Sequence, residues 1–384
     1  MKFQHRLLTA AAVTAVAVAS PDARALVSLE DGKDHLFIDG SVEMAYDSNI
    51  FAHAQGGGGM SYQGTLGTEF TRRAGWIGVN ATAKISFANF VKYHSQNYVD
   101  PSLSAELTKQ TGRTTGSLTL SMQKINRADV DVNTRDVSWV YDAGLNFQYP
   151  VIQRYSISGS FDVNHVDYQD KQLFTNLTTY SGSLYLYYIL NEQRDLFIDY
   201  RARLSNEANG QREVDNSFTT GVSGRVIGPF NGSLQAGYQV RTPSGGPDTG
   251  RFGDVNASGT MTWNINRRVT FTADLARDFS TTANALSVDA TSAGLTLQDS
   301  LTPKAVATLQ GSAGENRFLG VEGLMAPNGS RRVDRFASLG SSYSYAFNQH
   351  LKVQVGYSYY RSLSNVAYAA FPRSQFNLTL YSHW

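Results

Sequence analysis

Three features of the sequence predict an all-β protein folded as one transmembrane antiparallel up-and-down β-barrel. The first is the C-terminal stretch Ser374 to Trp384. Phe376, Leu378, Leu380 and Trp384 share one face at period two, with Ser382 the one gap, and Gln375, Asn377 and Thr379 share the other. The second is the recurrence of that two-faced pattern from about residue 36 to the end of the chain. The third is an alternation of short turns with longer polar segments, the hairpin asymmetry of barrels that span an outer membrane.

The short turns fall at Arg73-Ala74-Gly75, Thr111-Gly112-Arg113, Pro150 to Gln153, Asn191-Glu192-Gln193, Gly228 to Asn231, Asn264-Ile265-Asn266, Leu301-Thr302-Pro303 and Asn348-Gln349-His350, recurring about every 35 to 47 residues. Between them lie segments rich in Gly, Asn, Asp and Ser: Asp47 to Met60, Asn126 to Thr134, Asn206 to Glu213, Pro243 to Gly250 and Gly320 to Ser330. These breaks delimit about 18 strands, near 36–47, 61–72, 76–90, 101–110, 114–125, 135–149, 154–168, 176–190, 194–205, 214–227, 232–242, 251–264, 268–279, 286–299, 304–318, 331–347, 350–362 and 373–384, with 16 as the alternative count. Most exceed the roughly 9 to 11 residues that a tilted strand needs to cross a bilayer. An even number places both termini on the periplasmic side.

Composition fits the same class. Of 384 residues, 41% are hydrophobic, a level that does not separate soluble from membrane proteins, because a barrel's lumen face is polar. The 21 Tyr suit interfacial girdles and the 34 Gly suit turns and crowded positions. With no Cys there is no disulfide, no thiol chemistry and no lipid-modified N-terminal Cys. A net charge of +1 offers nothing for nucleic acid or acidic lipid. Lys2, His5 and Arg6, the apolar run Leu7 to Ala19, and Ala23-Arg24-Ala25 read as a secretory signal over 1–25, cleaved near Ala25. Residues 26–35 then form a short periplasmic segment and 36–384 the barrel. A secreted soluble β protein is the competing reading.

Parity assigns the faces. Ile77, Val79, Ala81, Ala83, Ile85 and Phe87 point outward on one strand, as do Leu351, Val353, Val355, Tyr357 and Tyr359 on another. Inward positions collect the charge: Asp39, Glu43, Glu69, Glu106, Asp142, Asp162, Asp199 and Asp274, with Lys84, Arg201, Arg203, Arg225, Arg241 and Lys352. An Arg or Lys facing lipid near the midplane costs about 2 to 4 kcal/mol. These charges either filter solutes at a constriction or pair across neighbouring strands and stiffen the wall. Arg201, Arg203 and Arg225 form the candidate positive patch. Tyr185, Tyr187, Phe197, Tyr360 and Tyr381 also take inward parity. Sugar rings stack on aromatic faces while their hydroxyls bond polar neighbours, so a line of such rings suits a carbohydrate path; the alternative is a bulge that turns them to lipid.

The scattered histidines, with no pair at metal-ligand spacing, and the absence of Cys argue against enzymatic or metal chemistry, and no cofactor is expected. Asp47-Ser48-Asn49 reads as an Asx-turn rather than a calcium loop, since the later ligands are missing.

Ala45-Tyr46-Asp47-Ser48-Asn49-Ile50-Phe51 resembles the "yDsNif" signature of the putative β-barrel porin 2 family, and the chain's length, hairpin rhythm and aromatic C-terminus agree with it. The resemblance implies an integral outer-membrane barrel, with several relatives encoded beside exopolysaccharide genes. It implies a passive conduit for a hydrophilic polymer, with a periplasmic polysaccharide-export protein as partner and no catalytic residues to carry over. The terminal motif Phe376, Leu378, Leu380, Trp384 is similar to the signal read by the barrel-assembly machinery. The alternatives are a diffusion porin for small solutes and an adhesive surface barrel.

Overall fold

The computed structural model describes residues 27–29, 34–73, 75–246, 250–320 and 326–384. The expected secretory signal and its cleavage point lie outside the described residues. Nineteen strands lie among the described residues, in chain order β1 (Val27–Leu29), β2 (Asp34–Asp47), β3 (Gly59–Arg72), β4 (Gly78–Phe90), β5 (Tyr98–Lys109), β6 (Thr115–Asp129) and β7 (Thr134–Ile152). Then come β8 (Tyr155–Tyr168), β9 (Leu177–Asn191), β10 (Arg194–Glu207), β11 (Arg212–Ile227), β12 (Phe230–Ser244) and β13 (Phe252–Asn264). The last are β14 (Val269–Thr281), β15 (Ser287–Thr302), β16 (Ala305–Phe318), β17 (Val333–Ala346), β18 (Leu351–Ser364) and β19 (Phe371–His383).

β2 to β19 are the 18 expected strands, each antiparallel to the next, and β19 pairs with β2 to close the barrel. The short β1 adds to the start of β2, with Val27 opposite Leu36 and Leu29 opposite Asp34. The seam is fastened at its end by reciprocal backbone bonds between Ile38 and Trp384, at 2.8 and 2.9 Å. The His350 ring stacks on Trp384 at 4.2 Å. Closure gives each of β2 to β19 a neighbour on both sides, which is the condition for β-structure in hydrocarbon.

The outward face is greasy on every sector. Val42, Leu66, Ile85, Leu103, Leu145, Leu184, Phe218, Tyr238, Leu295, Leu339 and Tyr357 are all exposed there, as are Phe376, Leu378, Leu380 and Trp384. Two of the polar segments are partly strand. Asn126 to Thr134 continues the β6–β7 ladder to Asp129 opposite Thr134, and Asn206 to Glu213 continues β10–β11 to Asn206 opposite Arg212. The walls therefore rise past the membrane on the long-loop side, where polar outward residues meet water.

Candidate functional site

The polar inner face of these strands encloses the lumen. Its two ends differ. On the long-loop side, inward side chains are packed shut: Ala52, Phe318, Phe371, Val288 and Phe279 are all at most 1% exposed. A water-filled barrel of this width would leave such residues wet.

The closure comes from hairpin ends that fold across the opening. The β6–β7 connection, residues 130–133, reaches the opposite wall; β6 and β16 stand ten places apart one way round the eighteen-strand ring and eight the other. There Asn316 Nδ2 donates to Asp131 Oδ1 at 2.9 Å. Arg332, its side chain 2% exposed, donates to the Asp131 carbonyl at 2.8 Å and to Asn133 Oδ1 at 3.0 Å. Asp334 holds the same guanidinium, which lies 4.3 Å over the Phe318 ring. Ala128 and Val130 pack on Ala52, Phe336, Tyr360 and Phe371. Val132 packs with Tyr168, Phe174 and Ala283, which joins the β8–β9 and β14–β15 connections to the same lid. Burial and the nearby Asp129 raise the Asp131 carboxyl to about 7, against the pull of Arg332.

The motif at the end of β2 anchors a second flap. Asp47 accepts from Arg373 at 2.6 Å and from the Asn49 backbone N–H at 2.8 Å, an Asx-turn. Asn49 Nδ2 donates to the His53 carbonyl, and Asn133 Nδ2 donates to that of Ala52. The segment after β2 is thereby turned inward, beneath the lid hairpin.

Under the lid lies a cavity of about 450 Å³. Ala128, Asp129 and Val130 bound it on the lid side; its walls carry Gln63, Thr308, Gln310, Ser342, Gln354 and Asn377. Its charges are largely engaged: Glu43 accepts from Thr379 at 2.7 Å, and Asp47 from Arg373.

The sequence-derived candidates fall into separate groups. On β9 and β10, Tyr185, Tyr187 and Phe197 form one aromatic patch, with centroids 5.3 to 6.0 Å apart. Phe197 lies over Gly221, where a Cβ would stand 2.4 Å from its ring. Asp199 follows toward the lid, accepting from Thr219 at 3.3 Å. Next come Arg201 and Arg203, then Arg241 on β12. They do not make a positive patch. Arg201 meets Asp278 at 2.8 Å, Arg203 meets Asp215 at 2.6 Å and Asp278 at 3.2 Å, and Arg241 meets Asp215 at 2.7 Å and Glu213 at 2.9 Å. Three cations face three carboxylates in a closed network. The contact with Asp278 arises because β14 pairs with β13 only up to Arg277, and its end bends over to β12, where Arg241 donates to the Ser280 carbonyl at 2.8 Å.

Arg225 is not part of this group. A register shift follows it, and the preceding Gly224 has φ 93° in a site where a Cβ would stand 2.2 Å from the Gln193 carbonyl. Arg225 is exposed at the short-turn end, donating to the Gly228 carbonyl at 2.7 Å. It lies eight residues along β11 from Ser217, the partner of Arg201, which is roughly 26 Å at about 3.3 Å per residue. Lys352 and Tyr360 sit on β18. Lys352 lies 4.7 Å over Tyr381 at the short-turn end, and Tyr360 stacks with Phe336 beneath the lid. The aromatic residues thus make three separate stations, not one track.

Sequence reasoning named neither the β6–β7 hairpin as a lid nor the Arg332 latch. The available signal was Val130 and Val132 inside a segment otherwise read as polar loop, together with Ile50 and Phe51 in the loop after β2.

Fold and lumen together define a porin-like outer-membrane β-barrel. The family model described as putative beta-barrel porin 2 matches residues 217–382, from β11 to β19, and is the family that Ala45 to Phe51 resembles. Among solved structures, OccK2 (OpdF) of Pseudomonas aeruginosa has a TM-score of 0.50 at 10% identity, covering 91% of this chain and 97% of that one. OpdK (OccK1) of the same organism and OccAB4 of Acinetobacter baumannii each score 0.47 at 12% identity, over 91% of this chain and 99% and 98% of theirs. At such identities the likeness is one of fold. No curated protein sequence matches.

Proposed function

We propose that the barrel is a gated passage for neutral, hydroxyl-rich solutes across the outer membrane, with a secreted polysaccharide chain as its substrate. The observation that carries this reading is the cavity wall of Gln63, Thr308, Gln310, Ser342, Gln354 and Asn377, amides and hydroxyls that match sugar hydroxyls in both donor and acceptor roles. Tyr185, Tyr187 and Phe197 add a stacking face lower on the opposite wall. The paired arginines hold no strong field that would select ions or retain a charged polymer. Passage is passive, and a periplasmic polysaccharide-export protein would feed the chain from the short-turn side.

A diffusion porin for small solutes is the second reading, and the cavity's size favours it. At about 450 Å³ it takes a small molecule as it stands, whereas a polymer requires the lid hairpin to move.

Deletion of the gene, scored for surface polysaccharide against polymer retained in the periplasm, separates the two. Loss at the surface with retention inside supports the conduit. Unchanged polysaccharide with slower uptake of small sugars or ions overturns it in favour of the diffusion porin.

A further inference from the structure

The outward face of β16 to β18 breaks the greasy pattern at one height. Glu315 and Arg317 on β16, Arg335 on β17 and Arg361 on β18 all point away from the lumen, since they share parity with the exposed Leu309, Leu339 and Tyr357. Register brings them together: Glu315 lies opposite Arg335, and Arg361 opposite Ala337, two residues along from Arg335.

One carboxylate serves two cations. Arg335 Nε donates to Glu315 Oε2 at 2.7 Å and Arg317 Nε bonds the other oxygen. Both guanidinium groups are used through Nε, so their terminal nitrogens have no partner among the described residues. The two side chains are 71% and 57% exposed. Arg361 is exposed with no hydrogen-bond or ion-pair partner among the described residues. Asp289 lies opposite Arg317 on β15 but is engaged by Arg277 at 2.9 Å, so Glu315 and the three arginines carry a net charge of about +2.

Its height is telling. From Arg335 to Tyr345 the outward face of β17 runs ten residues. At about 3.3 Å per residue and a tilt of about 40°, that is roughly 25 Å, the full apolar band of such barrels. The arginines therefore stand at the outer headgroup boundary. Near the same end of other strands the outward positions include Tyr46, Tyr62, Tyr180 and Tyr238, and the exposed Arg212 on β11 stands by itself far round the ring from the three arginines.

We infer that Arg317, Arg335 and Arg361 form a docking surface for the phosphate groups of an outer-leaflet lipid, whose acyl chains lie on Leu309, Leu339 and Tyr357 below. Free guanidinium forks at a membrane boundary suit bidentate phosphate binding. This surface faces away from the lumen and stands whether or not the passage carries polysaccharide.

The test uses the full-length barrel in detergent micelles with fluorescent diphosphoryl lipid A, the same lipid without phosphates, and inorganic phosphate as competitor. The wild type is expected to bind the diphosphoryl form at least tenfold more tightly than the dephosphorylated form. Millimolar inorganic phosphate should not displace it. R317Q/R335Q/R361Q should lose at least tenfold in affinity with unchanged ion conductance. R361Q, which breaks no hydrogen bond or ion pair among the described residues, should lose severalfold, and E315Q should gain. Equal binding of the two lipids, equal binding by wild type and R361Q, or full displacement by inorganic phosphate overturns the inference.

Discussion

Removing the latch that holds the lid should open the barrel. Arg332 makes two hydrogen bonds to the β6–β7 connection, to the Asp131 carbonyl and to Asn133 Oδ1. A hydrogen bond from a charged donor contributes about 1.5 to 3 kcal/mol, so the pair is worth roughly 3 kcal/mol at the low end. Losing the arginine alone would strand Asp334, which is buried at 6% exposure and has Arg332 as its cation. The clean perturbation is therefore R332M/D334N, which keeps the apolar stem over Phe318 and removes both charges. Since about 1.4 kcal/mol is tenfold in an equilibrium constant, the open-to-closed ratio should rise roughly 150-fold. Single-channel recording in planar bilayers reads this as open probability at fixed voltage, with circular dichroism confirming the barrel. An open probability within a factor of two of wild type, in a folded variant, would refute the reasoning.

Further outcomes follow from the same geometry. Asp131 is held at a raised value, about 7, by burial and Asp129, with Asp334 and Arg332 also facing it and Asn316 bonding it. The docked hairpin thus binds the proton more tightly than the undocked one. Its contribution to docking is full below the ordinary Asp value of about 3.9 and is lost as pH rises through about 7. Conductance should rise between pH 5 and 8, and D131N should flatten the profile; a wild-type profile flat over that range sinks the assignment. Arg241, with Asp215 and Glu213 as buried partners, should be costly to remove. R241M should lower barrel stability by about 3 to 5 kcal/mol, read as unfolding in denaturant from micelles. Y185A/Y187A should weaken block of the current by neutral oligosaccharides by roughly tenfold, about 1.4 kcal/mol, with ion conductance unchanged.

What was legible in the sequence was whatever depends on neighbours along the ladder. The alternation around Leu378 and Tyr357 gave faces, and dipeptide turn chemistry such as Asn348-Gln349 gave strand ends. Parity also sent Arg201, Arg203 and Arg241 inward. It could not supply Asp278, four strands from Arg201, because that contact needs β14 to bend over β13. Nor could it foresee that Gly224 would admit a register shift that leaves Arg225 at the rim. The lid was opaque for the same reason. Asp131 meets Asn316 across 185 residues and Arg332 across 201, contacts that exist only once the ring has closed. Even the Ala45 to Phe51 motif at the end of β2 works through Arg373, near the other end of the chain.

The most direct test of a lid-gated passage exploits the absence of cysteine from the chain. In D131C/N316C the two thiols replace side chains whose polar atoms are 2.9 Å apart, a gap that a short bis-thiosulfonate reagent spans through two reducible disulfides, so crosslinking should staple the lid to the far wall. Flux of a neutral oligosaccharide into vesicles carrying this variant should be blocked when crosslinked and restored on reduction. Equal flux in the two states, with the crosslink verified, would contradict the account.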